Sequence, residues 1–218
     1  MGLWQFWVLP LGYFFIQASF PIQQPAFSLY LKAENYSVYD INVWPTGQPA
    51  IGAVSQIIAG MISDSPLLNG HCAEAIFVMQ AGTFFSAVVL AVWDVPERLK
   101  FAAYYLSYMS SGVPGIYYSW FPDLVPNDHE TRGFLIAAAN IFSYINTIWY
   151  TDAVWRTAEG PRFRQGFIAA AAFGFATGLL VILITWLQKW DQRKVSRVVE
   201  SDVEVNTLGG VIEIGNEK

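Results

Sequence analysis

The chain has 218 residues, 54% of them apolar and only 13% charged, with a formal charge of −5. That balance is too apolar for a soluble globule and excludes one. The acidic excess lies largely in Glu200, Asp202, Glu204, Glu213 and Glu217, so it marks a solvated end, and no basic patch exists to bind nucleic acid.

Apolar stretches of roughly 20 residues, the length that crosses a bilayer core, recur along residues 1–190. They predict an all-α, polytopic membrane protein with six transmembrane helices, followed by a hydrophilic, disordered tail over residues 191–218. The opening MGLWQFWVLPLGYFF lacks the basic region and cleavage site of a signal peptide, and Phe6 stands where myristoylation needs Ser or Thr. It reads as an abruptly starting first span, from Leu3 to Tyr30, broken near one end by Pro21 and Pro25. Gln17 and Gln24 are seven apart and share a face, with Tyr13 above them. Lys32, Glu34, Asn35 and Asp40 then mark water, and Asn35-Tyr36-Ser37 is a glycosylation sequon.

The second span, Val43 to Ile62, is rich in Gly and Pro, which suggests a bent, closely packed helix. Gln48, Gly52, Ser55 and Gln56 share one of its faces. The third, Glu74 to Trp93, is plainer, with Gln80 and Thr83 as its polar side chains and Trp93 at an interfacial anchor position. The fourth, Leu99 to Phe121, is the most aromatic. Tyr104, Tyr108, Ser111 and Tyr118 fall on one face, and Gly112, Pro114 and Gly115 predict a kink midway.

The fifth span is Gly133 to Trp155, where Asn140, Ser143, Tyr144 and Thr147 form one polar stripe down an apolar rod. Unsatisfied amides in hydrocarbon cost several kcal/mol, so such a stripe faces partner helices or a water-filled path. The sixth, Phe167 to Trp190, carries Gly166, Ala170, Gly174 and Gly178 at four-residue spacing, a ridge that lets two helices approach closely.

No span has an ionisable residue near its centre; Asp64, Asp94, Asp123 and Asp152 all lie at span ends. A proton-coupled carrier would therefore have its titrating acid outside this chain. Lys and Arg are shared equally between the two sides, so the positive-inside rule assigns no orientation. His71 and His129 lie in loops without metal-ligand spacing, Asp128-His129-Glu130 reads as a solvated charge cluster, and the single Cys72 excludes an internal disulfide framework. Neither an enzyme, nor a metal site, nor a cofactor is indicated.

The runs YSVYDINVWPTGQPAI (Tyr36 to Ile51) and YSWFPDLVPNDHETRGFLIAAANIFSYINTIW (Tyr118 to Trp149), with GPRFRQGF (Gly160 to Phe167), resemble the C-terminal half of fungal major facilitator transporters of the allantoate and pantothenate permease type. The resemblance implies one bundle of that fold, equivalent to helices seven to twelve, with both chain ends cytoplasmic in a plasma-membrane carrier. It also implies a small organic anion such as pantothenate, allantoate, nicotinate or biotin as substrate, moved by proton symport. Two departures stand out. The loop Gly60 to Pro66 lacks the basic residues of the facilitator signature, and Phe121-Pro122-Asp123 replaces an Asn-Glu pair.

On this reading Gln17, Gln24, Gln48, Tyr118, Asn140 and Tyr144 are candidates to line a substrate cavity. The alternative for each is an interhelical hydrogen bond, worth about 0.6 kcal/mol in membranes. The implied partners are the lipid bilayer, the substrate, and either an absent N-terminal bundle or a second copy of the chain. The abrupt start suggests a truncated or degenerate half-transporter as the competing reading, with a membrane sensor or scaffold acting through its tail as a third.

Overall fold

A computed structural model describes residues 3–20, 25–63, 72–125 and 128–215, the side chains of 195–215 excepted. Every regular element among them is helical. The chain divides into two units, residues 1–181 and residues 182–218.

The first unit starts with α1 (Leu3–Ser19) and α2 (Ala26–Ala33). The single long span expected there is two helices, and α2 starts directly after Pro25. A short α3 (Val38–Val43) follows, capped by Ser37, whose hydroxyl accepts from the Asp40 amide. Then come α4 (Gly47–Ser63) and α5 (Cys72–Val92).

The aromatic span is also divided. It consists of α6 (Glu97–Leu106), a 3-10 segment (Ser107–Gly112) and α7 (Val113–Ser119), with Pro114 in the first turn of α7. Gly112 supplies the close approach at this bend, because a Cβ there would sit 3.2 Å from both the Gln56 Cα and the Ser55 carbonyl. After α8 (Phe121–Leu124), the long α9 (His129–Val154) is capped by Asp128, which accepts from the Thr131 amide at 2.9 Å. The last helix, α10 (Arg164–Gly215), runs on through residues whose composition suggests a disordered tail.

Side chains on α1 and α9 meet along both helices, from the stacked Phe6 and Phe134 rings to the Gln17–Ser143 bond, so the two run side by side in the same direction. The 3-10 segment lies between α4 and α5. The small-residue ridge of α10 faces α5: a Cβ at Gly174 would sit 3.5 Å from Gln80 Nε2, and one at Gly178 would sit 3.7 Å from the Phe77 ring. The core is aromatic at one end, where Phe27, Tyr30, Tyr104, Trp155 and Phe167 are buried together. In the second unit, the Trp186 and Trp190 rings stack, and Lys194 Nζ lies 3.3 Å from the Trp190 ring centre.

Among the described residues, two helices are long and apolar enough to cross a membrane by length and composition, α5 and the Arg164–Lys194 part of α10. Their outer faces are what lipid would cover: Phe77, Val78, Phe175 and Leu179 are each at least half exposed. Trp93 closes α5, and Lys100 Nζ lies 4.7 Å from its ring centre, a cation–π contact suited to an interface.

Candidate functional site

The bend between α6 and the 3-10 segment creates the first polar feature. Where the helix changes pitch its carbonyls lose their regular partners, and Tyr104 O is met by two side chains. Gln48 Nε2 donates to it across from α4 at 2.9 Å, and Ser107 Oγ donates at 2.6 Å. Gln48 is buried, with its amide nitrogen committed, while its Oε1 accepts no hydrogen bond among the described residues. Around it lies a cavity of about 320 Å³, with Phe27, Tyr104, Tyr108 and Phe167 as aromatic walls and Ser28 and Gln48 as polar points. No charged side chain among the described residues lines it.

The second feature is the α1–α9 seam. Gln17 Nε2 donates to Ser143 Oγ at 3.0 Å, so Gln17 bridges two helices. Asn140 is half-buried, and its Nδ2 donates to Ile136 O of its own helix at 3.0 Å. Tyr144 is 71% exposed. The buried line of α9 is Leu135, Ala139, Ser143, Asn146 and Tyr150, so the polar stripe read from the sequence is split: Ser143 faces α1, Asn140 sits at the edge, and Tyr144 and Thr147 point outward. Tyr118 packs its ring against Tyr13 at 4.8 Å, and its hydroxyl is buried beside that residue. Gln24 and the loop beyond Ser63 lie outside the described residues.

Three polar groups missing from the sequence-based candidates are among the most deeply buried. Asn146 is fully buried, and neither its Nδ2 nor its Oδ1 has a partner among the described residues. Gln80 on α5 donates to Ser19 Oγ at 2.5 Å, and Ser19 in turn donates to Ile16 O. Asn146 stands three residues after Ser143, so the same face reading, phased one position differently, would have included it. A second opening of about 500 Å³ runs between α4 and α7, lined by Gln56, Ser111, Pro114 and Ser119, again without a charged group among the described residues. Gln56 Nε2 reaches Ser111 O there at 3.3 Å. Among the described residues no group of His, Cys, Asp or Glu is placed to hold a metal ion.

A cavity between helices with aromatic walls and no charged group among the described residues suits capture of a small molecule, and no nucleophile with its base stands beside it among those residues. Comparison with known proteins gives the same direction. The chain is 29% identical over 161 residues to the pantothenate transporter liz1 of Schizosaccharomyces pombe, covering 74% of this chain and 31% of that protein. It is 24% identical over 170 residues to the vitamin H transporter of Saccharomyces cerevisiae, covering 78% and 28%. It is 28% identical over 195 residues to the MFS transporter PfmaC of Pestalotiopsis fici, covering 83% and 35%. The chain is a homologue of fungal major facilitator transporters. This transporter homologue is therefore a membrane protein and not an enzyme. It spans about a third of the length of the curated relatives it matches. No family model matches it, and no solved structure does.

Proposed function

We propose that this transporter homologue is one six-helix bundle of a carrier that moves a small organic carboxylate of the vitamin class across the plasma membrane, driven by protons. The observation that carries the reading is the match, over about three quarters of the chain, to pantothenate and vitamin H transporters. The geometry agrees with it in kind, because the uncharged cavity beside Gln48 has the size and the mixture of aromatic and polar lining that a small-molecule site needs.

On this reading α1 and α2 together form the first span, and α6, the 3-10 segment and α7 form the fourth. The tail after residue 190 is cytoplasmic. A second bundle, from an N-terminal half or from a second copy of this chain, completes the pathway. Tyr144 and Asn140 are available to it: one is exposed and the other sits half-buried at the rim of the α1–α9 seam. Gln17 and Gln48 serve the bundle's own packing through their amide nitrogens, and Tyr118 stands beside Tyr13. The acid that couples protons belongs to the other bundle, since no span here carries one at its centre.

The test is uptake of labelled pantothenate by a yeast strain stripped of its own pantothenate transport, expressing this chain with the N-terminal half of the fission-yeast relative. Uptake above the strain without the chain is expected, rising as the medium is acidified. Asn140→Ala and Tyr144→Phe are expected to raise KM at unchanged membrane abundance. Uptake no greater than without the chain, although both halves reach the membrane, would refute the reading.

A further inference from the structure

We propose that the cavity beside Gln48 binds the uncharged end of the substrate, and that the carboxylate is met outside this bundle. The inference rests on the carrier reading above and adds a division of labour within it. At about 320 Å³ the cavity stands at the small end of the range for small-molecule sites. Phe27, Tyr104, Tyr108 and Phe167 offer apolar walls, and Ser28 a hydroxyl. Gln48 is held by its bond to Tyr104 O, which leaves its Oε1 to accept from a ligand N–H or O–H. Tyr104 adds a buried hydroxyl with no partner among the described residues.

A carboxylate placed there would lose water with no Lys, Arg or His among the described lining residues to answer it, an arrangement that low-dielectric surroundings disfavour strongly. An amide N–H, a hydroxyl or a ring urea meets no such penalty, because each donates to Gln48 Oε1 while the attached carbons lie on the aromatic walls. Pantothenate and vitamin H share this division: each has a carboxylate at one end and uncharged hydrogen-bond donors at the other, hydroxyls in the first and a ring urea in the second. The cavity is thus the part of the bundle that distinguishes one vitamin carboxylate from another.

The experiment compares labelled pantothenate with panthenol, in which a neutral CH₂OH replaces the carboxylate, by equilibrium dialysis against the full chain purified into lipid nanodiscs. The two are expected to bind with dissociation constants within about threefold of each other. Ser28→Leu, which adds bulk to the cavity, is expected to weaken both by about tenfold or more. Tyr108→Leu, which removes a wall without crowding the interior, is expected to weaken both as well and covers the case in which Ser28→Leu fails to fold. Protection of the Cys72 thiol reports folding of each variant, since that side chain is buried. Binding of the acid alone would overturn the proposal while leaving the carrier reading standing. So would equal binding by the folded variants. Binding of neither compound by the folded chain would also overturn it, and the uptake assay then decides the carrier reading by itself.

Discussion

Gly12 is the most exacting position in the helix packing of the first unit. A Cβ at residue 12 would lie 2.3 Å from Tyr117 Oη, 2.9 Å from Leu180 Cδ2 and 3.2 Å from Tyr117 Cζ. Tyr117 is wholly buried, and its hydroxyl donates to Leu9 O at 2.8 Å. Gly12→Ala must push the hydroxyl back by about 1 Å to regain normal contact distance. That loses a buried hydrogen bond, about 0.5–1.5 kcal/mol, and strains a rigid ring in a packed seam, about 1–3 kcal/mol, for a total of roughly 1.5–4.5 kcal/mol. Tyr117→Phe removes both the bond and the atom in the way. It costs about 1 kcal/mol alone, and in its background Gly12→Ala becomes milder, giving a coupling of about 1–2 kcal/mol. The assay is SDS-driven unfolding in mixed micelles, followed by labelling of Cys72, the chain's single thiol, which is 4% exposed when folded. Additivity of the two substitutions within about 0.5 kcal/mol, or a Gly12→Ala protein as stable as the parent, would refute the reasoning.

Further outcomes follow from other contacts. Gly174→Ala is expected to fold normally, because its Cβ meets Gln80 and Phe84 at ordinary contact distances, whereas Gly174→Leu is expected to reduce folded yield by prising α10 from α5; equal yields would defeat the close-approach account. Tyr36 donates its hydroxyl to the Glu97 carboxylate, and that bond, ahead of burial, pushes the phenol up to about 12. The contact therefore contributes below the phenol's ordinary pKa near 10 and is lost as pH rises through about 12. Several phenols titrate late, so in an ultraviolet titration Tyr36→Phe should remove one phenolate from the phase near pH 12 and none from the phase near 10, and loss from the earlier phase would count against the bond. Hydrogen bonds from Thr131, side chain first and then backbone, hold the Asp128 carboxyl below its ordinary value. Its capping of α9 is accordingly present above that ordinary value and fades as pH falls through the lowered one. Asp128→Asn should flatten the acid sensitivity of the unfolding midpoint while Asp128→Ala lowers the midpoint at neutral pH; an acid response identical to that of the parent in Asp128→Asn would contradict this.

The sequence by itself determined the helical class, because runs of apolar residues at membrane length with so few charges leave the backbone no other way to satisfy its own hydrogen bonds. It also marked the bend of the fourth span, where Gly112 and Pro114 act locally through an absent side chain or a fixed φ, although Pro10 lies within α1 without ending it. Resemblance of a few runs, Tyr118 to Trp149 above all, carried the transporter kinship that the relatives then supported. What only the tertiary structure decided was which side of each helix is interior. Periodicity placed Asn140, Ser143, Tyr144 and Thr147 together, yet the residues flanking that stripe are apolar on both sides, and lipid accepts an apolar face as readily as a protein core does. The seam with α1 turned Ser143 and Asn146 inward and left Tyr144 outside. Likewise, sequence put Gln48 on a polar face, but the carbonyl it serves belongs to Tyr104, fifty-six positions away, and becomes available where α6 gives way to a 3-10 turn. A contact of that range depends on how helices lean together, which no local pattern encodes.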